Sequence, residues 1–114
     1  MHEIREASDW ESIKKQCSES AKNLFLAKLS PACPVSHQAE KILLDWLAEH
    51  KITNFIAARI DVIRARNLSR SLAVEIGVKH ESPQVILLSP EGKALWDVDH
   101  FEISLENLNR QFSS

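Results

Sequence analysis

The chain has 114 residues, a size that suits one compact domain spanning residues 1–114. Hydrophobic residues make up 44% and charged residues 26%, ordinary values for a soluble globular protein, so a buried core is expected. The net charge is -2 and no basic run occurs, which argues against nucleic-acid binding. No apolar segment approaches the roughly 20 residues that span a bilayer, and the first residues lack the apolar stretch of a secretory signal. We therefore expect a cytoplasmic protein with no nucleic-acid or membrane partner.

The first half of the chain predicts helix, strand, helix and strand in that order. Residues 8–11 (Ser-Asp-Trp-Glu) match a capping box and predict a helix to about Ser18. The short apolar run at residues 24–27 is typical of a strand buried on both faces. An amphipathic pattern beginning at Pro34 predicts a helix to about residue 50, and residues 55–60 form a second apolar strand. Strand, helix and strand at this spacing indicate two parallel strands.

The second half predicts another helix, a hairpin and a terminal helix. Apolar residues four apart predict a helix that ends before Gly77, a suitable left-handed cap. Residues 84–88 predict the third strand, residues 90–92 a turn, and residues 94–96 its antiparallel partner. Ser104 is expected to cap the last helix. The order α-β-α-β-α-β-β-α predicts an α/β protein of thioredoxin-like fold, with a central four-stranded mixed sheet flanked by helices.

Cys33 is the strongest candidate for chemistry. It directly follows a predicted buried strand and directly precedes Pro34, which disfavours helical angles at Cys33 and so makes it the helix cap. At that position the sulfur faces the free N–H groups of the first turn, which favour the nucleophilic thiolate. The helix end contributes about 1 kcal/mol, so hydrogen bonds from backbone amides or the Ser36 hydroxyl are expected to add to it. This pattern favours a reactive thiol over a small core residue.

Ser36 lies where a dithiol enzyme carries its resolving cysteine. Because serine cannot form a disulfide, a reaction that begins at Cys33 must end as a mixed disulfide that a second thiol releases. An ordinary serine in the first turn of a helix is the alternative, and the two interpretations are compatible. Cys17 is another conceivable resolving thiol, but packing on the inner face of the first helix is the favoured interpretation.

Ser82 and Pro83 form a second candidate constellation, immediately before the third strand. If the Ser82–Pro83 bond were cis and close to Cys33, the backbone of Ser82 would face an incoming peptide and pair with it. A trans proline that merely begins a strand is the alternative. Periodicity does not separate the two.

Several other polar residues lie near these positions along the chain. A metal site built from Cys33, His37 and His80 is conceivable. No Cys-x-x-Cys or His-x-x-x-His pair supports it, so we expect no metal and interpret the histidines, with His100, as solvated or weakly tuning groups. Glu81 is interpreted as a solvated carboxylate that is able to influence which charged partners approach.

Four stretches of the sequence together resemble the monothiol bacilliredoxin family. They are residues 32–36 (Ala-Cys-Pro-Val-Ser), residues 78–87 (Val-Lys-His-Glu-Ser-Pro-Gln-Val-Ile-Leu), residues 92–96, and Asp99-His100 with Ile103. The resemblance extends from Phe25 to about Leu108. Its specific part is His-Glu-Ser-Pro-Gln, because some glutaredoxins share Cys-Pro-x-Ser.

This resemblance implies an enzyme that removes bacillithiol from S-bacillithiolated cytoplasmic proteins. Cys33 would attack the mixed disulfide, take bacillithiol onto itself and be regenerated by another thiol system. No bound cofactor is expected, since bacillithiol is a co-substrate, and the partners would be S-thiolated cytoplasmic proteins and low-molecular-weight thiols. No feature of the sequence demands a dimer, so we expect a monomer. The resemblance implies that Pro83 is the cis-proline next to the active site. From the residues themselves, the candidates for shaping the site or binding substrate are Pro34, Ser36, Ser82 and Pro83. The candidates for tuning it are His37, His80 and Glu81.

Two other functional classes stay open at this stage. Some monothiol glutaredoxins carry an iron–sulfur cluster, but they usually present Cys-Gly-Phe-Ser, and Pro34 stands here in place of the glycine. A thioredoxin-like binding module without turnover is the other class. For such a module, Cys33→Ser would leave the function unchanged.

Overall fold

The computed structural model describes residues 1–50 and 54–112 of the chain. These residues form five strands and four α-helices, and none of the helices is long and apolar enough to cross a membrane. In chain order the elements are β1 (His2–Ile4), α1 (Ala7–Ser20), β2 (Asn23–Leu29), α2 (Pro34–His50), β3 (Phe55–Asp61), α3 (Arg66–Ile76), β4 (Gln84–Leu88), β5 (Ala94–Asp99), a 3-10 turn (His100–Glu102) and α4 (Leu105–Phe112).

The strands form one mixed sheet in the order β1-β3-β2-β4-β5. β2 pairs with β3 in parallel and with β4 in antiparallel orientation, so β2 lies at the centre of the sheet. The predicted thioredoxin-like α/β class and the β4–β5 hairpin are confirmed. The predicted count of four strands is wrong, because β1 adds a fifth strand parallel to β3. With three residues, of which only Ile4 is buried, β1 is too short for a periodic signal.

The start of α1 also differs from the prediction. The carboxylate of Asp9 accepts hydrogen bonds from the backbone N–H groups of Arg5 (2.9 Å) and Glu6 (3.0 Å), which lowers the pKa of Asp9. Glu6 is therefore the cap residue and the helix begins at Ala7, so the capping box predicted at residues 8–11 is wrong. The other predicted boundary signals are confirmed: Gly77 (φ 78°) ends α3 in the left-handed region, and Ser104 Oγ caps α4.

The two faces of the sheet bury side chains of different kinds. One face, which we call the aromatic face, packs against α2 and α4, and its principal residues are Phe25, Leu43, Trp46, Phe55, Val85 and Leu108. The other, which we call the aliphatic face, packs against α1 and α3, and its principal residues are Trp10, Cys17, Leu24, Leu26, Leu72 and Ile86. Because side chains alternate along a strand, β2 contributes Phe25 to one core and Leu26 to the other. The helix that follows Cys33 therefore rests on the aromatic face.

Candidate active site

Cys33 lies between the end of β2 and the first residue of α2. Its N–H donates to the carbonyl of Ser30 (3.4 Å), which closes a tight turn, and its carbonyl accepts the N–H of His37 (3.1 Å) as the first hydrogen bond of α2. Pro34 is the first residue of the helix. The predicted cap position of Cys33 is thus confirmed. The thiol is half-buried, while Pro31, Ala32 and Pro34 around it are exposed.

Two side chains from the first turn of α2 close the loop that carries Cys33. The Ser36 hydroxyl oxygen, which is buried, accepts the backbone N–H of Ser30 (3.1 Å). His37 Nε2 donates to the carbonyl oxygen of Pro31 (2.6 Å). The expected hydrogen bond from Ser36 to the thiol is not formed, and no donor among residues 1–50 and 54–112 bonds the Cys33 sulfur. Ser36 and His37 shape the loop instead.

The Ser82–Pro83 segment lies at the same end of the sheet as Cys33. Lys28 of β2 pairs with Gln84 of β4, so Pro83, one residue earlier, adjoins Leu29, the last residue of β2. The Ser82–Pro83 peptide bond is cis. The carbonyl of Pro83 accepts the N–H of His100 (2.9 Å), which ties the segment after β5 to the same edge. Sequence reasoning left the cis bond open, and the structure contains it.

The polar residues predicted near the site have varied surroundings. Glu81 is half-buried and pairs with the exposed Lys79 (3.6 Å). The hydroxyl of Ser82 is buried without a partner among the described residues. His100 Nδ1 donates to the carboxylate of Asp99 (3.0 Å). Among the described residues none of these groups is hydrogen-bonded to the Cys33 thiol.

His80 has the contact that sequence reasoning missed. Its Nδ1 lies 2.8 Å from Nζ of Lys28, a residue of β2 that is 1% exposed. Burial lowers the pKa of Lys28 to about 8, against an opposing effect of the nearby Glu81 carboxylate. The available signal was a single lysine inside the apolar run of residues 24–29, since lysine is rarely buried without a partner.

The conceivable metal site does not assemble from Cys33, His37 and His80. His37 faces the carbonyl of Pro31 and His80 faces Lys28. Across residues 1–50 and 54–112 no group of three or more metal-ligating side chains converges. The two histidines therefore act on the backbone and on a lysine.

Cys17 lies far from this site, on α1. It is 2% exposed and belongs to the aliphatic face, and burial raises the pKa of its thiol. A cleft of about 340 Å³ borders it, lined also by Leu24 and Leu88, which mark the end of the sheet opposite to Leu29. A thiol on the other face and at the other end of the sheet is poorly placed to resolve a disulfide at Cys33. The packing interpretation of Cys17 fits this position.

A second cleft, of about 220 Å³, runs alongside the first turns of α2. Val35 and Ala39 line one wall, and His100 and Phe101 of the 3-10 turn line the other. Phe101 is 78% exposed, unusual for a large aromatic residue. The first lining residue of this cleft, Val35, follows Cys33 by two residues along the chain.

Comparison with known proteins agrees with this geometry. A family model described as monothiol bacilliredoxin BrxC matches residues 2–108. A solved structure described as an oxidoreductase with a thioredoxin fold is 27% identical, with a TM-score of 0.80 over 96% of this chain and 90% of that chain.

Two thioredoxins share the fold at lower identity. The thioredoxin NaTrxh from Nicotiana alata is 17% identical (TM-score 0.75, 96% of this chain and 87% of that chain). The Fasciola hepatica thioredoxin is 14% identical (TM-score 0.72, 99% and 97%). With a cysteine at the head of α2 and a family match over nearly the whole length, the chain belongs to the monothiol bacilliredoxin family of thioredoxin-fold thiol oxidoreductases.

Proposed function

We propose that the protein removes bacillithiol from S-bacillithiolated cytoplasmic proteins by thiol–disulfide exchange at Cys33. The observation that carries the proposal is that Cys33 caps α2 while position 36, where a dithiol enzyme has its resolving cysteine, holds a serine. The second cysteine of the chain, Cys17, is buried on the opposite face. The protein therefore has one thiol available for exchange.

The reaction is an exchange of disulfide partners. The Cys33 thiolate attacks the bacillithiol sulfur of the mixed disulfide, and the bond between that sulfur and the client cysteine breaks. The client cysteine leaves as a thiolate and takes up a proton, while bacillithiol is now joined to Cys33. One disulfide has formed and one has broken, so this step needs no outside electron donor.

Release of the adduct requires a second thiol. This thiol attacks the bacillithiol sulfur, Cys33 leaves as a thiolate, and the second thiol ends in a disulfide with bacillithiol. Ser36 cannot supply it, and its hydroxyl already accepts the Ser30 N–H. The adduct on Cys33 is thus the resting product of a single turnover.

The surroundings of Cys33 suit a substrate in which a polypeptide is joined to a small thiol by a mixed disulfide. Pro31, Ala32 and Pro34 present little charge to an approaching chain, and the cleft between Val35 and Phe101 is largely apolar. Ser82, before the cis bond, lies at the same end of the sheet as Cys33, which supports a role for its backbone in pairing with an extended segment. We propose that the client segment binds across this surface.

The test uses one model protein carrying bacillithiol or glutathione on a single cysteine. The purified protein is mixed with each, and intact mass spectrometry follows both partners. We expect the bacillithiol mass to move onto the wild-type protein, no transfer with Cys33→Ser, and transfer with the matched control Cys17→Ala. Preference for glutathione would contradict the proposed substrate. Transfer by Cys33→Ser would contradict the mechanism.

A second variant tests the monothiol assignment. Ser36→Cys places a thiol three residues after Cys33, so the adduct should be displaced within the molecule. We expect the variant to release bacillithiol and to lose two mass units as an internal disulfide forms. An adduct as persistent as that of the wild type would show that position 36 does not face the reacting sulfur.

A further inference from the structure

Lys28 is unusual because it is a lysine buried inside the protein. It lies on β2 in line with Leu24 and Leu26, on the aliphatic face, and is 1% exposed. On either side it is paired with Ile60 of β3 and Gln84 of β4. An ammonium group in such a position needs a polar partner, because burying an unpaired charge is strongly unfavourable.

That partner belongs to the segment that leads to the cis bond. Nζ of Lys28 donates to Nδ1 of His80 (2.8 Å), so this imidazole carries its own proton on Nε2. A second hydrogen bond comes from the neighbouring strand β4, where Nε2 of the buried Gln84 donates to the carbonyl of Lys79 (3.1 Å). Two buried side chains facing each other across β2 and β4 thus hold two consecutive residues, 79 and 80. They fix the start of the segment that ends at Pro83.

The pair lies close to the reacting thiol along the chain. Only Leu29 separates Lys28 from the turn at Ser30–Cys33, in which the Cys33 N–H bonds the Ser30 carbonyl. Two strand residues and one tight turn place the Cα of Lys28 within about 14 Å of the Cα of Cys33. Lys28 is therefore linked to both halves of the site: to the Cys33 loop through the backbone, and to the Ser82–Pro83 segment through His80.

We infer that Lys28 is a positioning residue, which through His80 holds the Ser82–Pro83 segment in register with Cys33 for an incoming mixed disulfide. This inference rests on the proposed exchange at Cys33. It assigns no contact between Lys28 and substrate. It predicts that a variant lacking the Lys28 amine keeps the wild-type reactivity of the Cys33 thiol but reacts more slowly with a disulfide-bonded polypeptide.

The charges around the pair decide its state at each pH. His80 faces Lys28, Arg70 of α3 and Glu81; burial and the two cations lower its pKa, and Glu81 acts in the other direction. Lys28 faces His80, the neutral Gln84 and Glu81, and burial lowers its pKa to about 8. Near neutral pH an ammonium group therefore donates to a neutral imidazole. Above about pH 8 the amine loses its charge and becomes a weaker donor.

The experiment compares two reactions of the same thiol. Alkylation by iodoacetamide reports the reactivity of Cys33 alone, whereas transfer from a bacillithiolated model protein also requires the positioned segment. For Lys28→Met we expect unchanged alkylation and transfer slowed about tenfold near pH 7. The ratio of the two rates should fall in the wild type as the pH rises through about 8 and stay low and flat in the variant.

Further variants separate the lysine from its partner. His80→Asn keeps an acceptor near the position of Nδ1 and should retain most of the transfer rate, whereas His80→Leu should behave like Lys28→Met. The matched control is Lys93→Met, an exposed lysine in the β4–β5 turn, which should match the wild type. Thermal unfolding checks that every variant is folded.

Three results would overturn the inference. They are an unchanged rate ratio in Lys28→Met, an equal loss of alkylation and transfer, and wild-type transfer by His80→Leu. A readout without activity separates this inference from the proposed function. Nitrogen NMR of His80 should show an accepting Nδ1 and a protonated Nε2 in the wild type, and this pattern should be lost in Lys28→Met. If transfer from bacillithiolated protein fails in the wild type while this NMR pattern is present, the proposed substrate is wrong, but the hydrogen bond from Lys28 to His80 is supported.

Discussion

The two faces of the sheet support the site in different ways. On the aromatic face, four rings from α2, α4, β2 and β3 pack together with centroids 5.1–6.3 Å apart: Phe25, Trp46 and Phe55 stack, and Phe112 meets them at a tilt or edge-on. The aliphatic face instead buries Lys28 and Gln84 at the end nearest Cys33, with an unpartnered amide oxygen on Gln84 among the described residues. One face anchors the helix that carries the thiol. The other places an ionisable group behind the segment proposed to meet the substrate.

The largest expected effect on the free energy of unfolding comes from a substitution in the aromatic face. Phe25→Ala removes a fully buried ring that stacks on Trp46 and Phe55, and we expect a loss of about 4 kcal/mol in the free energy of unfolding. The matched variant Leu26→Ala alters the aliphatic face at the next residue of the same strand and should cost about 3 kcal/mol. Urea unfolding measures both. A loss below about 1 kcal/mol for Phe25→Ala would contradict the anchoring role of the rings.

The next prediction concerns the ionisable group of the aliphatic face. The pKa of Lys28 is about 8 in the folded protein and 10.5 for an ordinary lysine, so between these values the unfolded chain binds more protons and stability rises with pH. From pH 8 to 10.5 the wild type should gain on the order of 3 kcal/mol relative to Lys28→Met.

Comparing the two proteins isolates the lysine. The raised pKa of Cys17 acts in the opposite direction at high pH, but it is common to both and cancels in the difference. Urea unfolding at several pH values checks the prediction. Parallel pH profiles would show that Lys28 does not titrate as a buried group.

The smallest effect concerns a polar contact at the border of the aromatic face. Arg59 of β3 binds Glu40 of α2 through two nitrogens (2.9 and 3.4 Å), and both side chains are partly exposed. Glu40→Gln should therefore cost only about 0.5 kcal/mol, and less in high salt. Unfolding in low and high salt tests this. A cost above about 2 kcal/mol would mean that this pair, rather than the rings, holds α2 on the sheet.

Local signals made much of the molecule predictable. The apolar runs of β2 and β4, the stripe of α2 and the proline after Cys33 act within a few residues of one another, so the order of elements and the cap position followed from the sequence. β1 was not predicted because its partner, β3, lies more than fifty residues away and only Ile4 is buried. At α1 the Asp9 carboxylate captured two backbone N–H groups upstream of Ser8, although serine is the commoner cap residue.

The position of Cys33 at the head of α2 was predictable, but the contacts of the residues around it were not. Cys33, Pro34 and Ser36 follow from residue type and spacing. Lys28 does not, because lysine predicts exposure and its partner His80 lies 52 residues further along the chain. The bond from Ser36 to the Ser30 amide was likewise hidden, since the direction of a hydroxyl depends on how the loop closes.

The placement of the two cysteines sets how many covalent links the folded protein can form under oxidation. Cys17 is enclosed beneath α1, while Cys33 is half-buried at the surface on the other face. Towards thiol reagents the folded chain is therefore monovalent. A monovalent unit accepts one small adduct or joins one other copy, so oxidation of the native protein stops at a disulfide-linked pair. Longer disulfide-linked chains require Cys17, and their appearance would mark molecules that have unfolded.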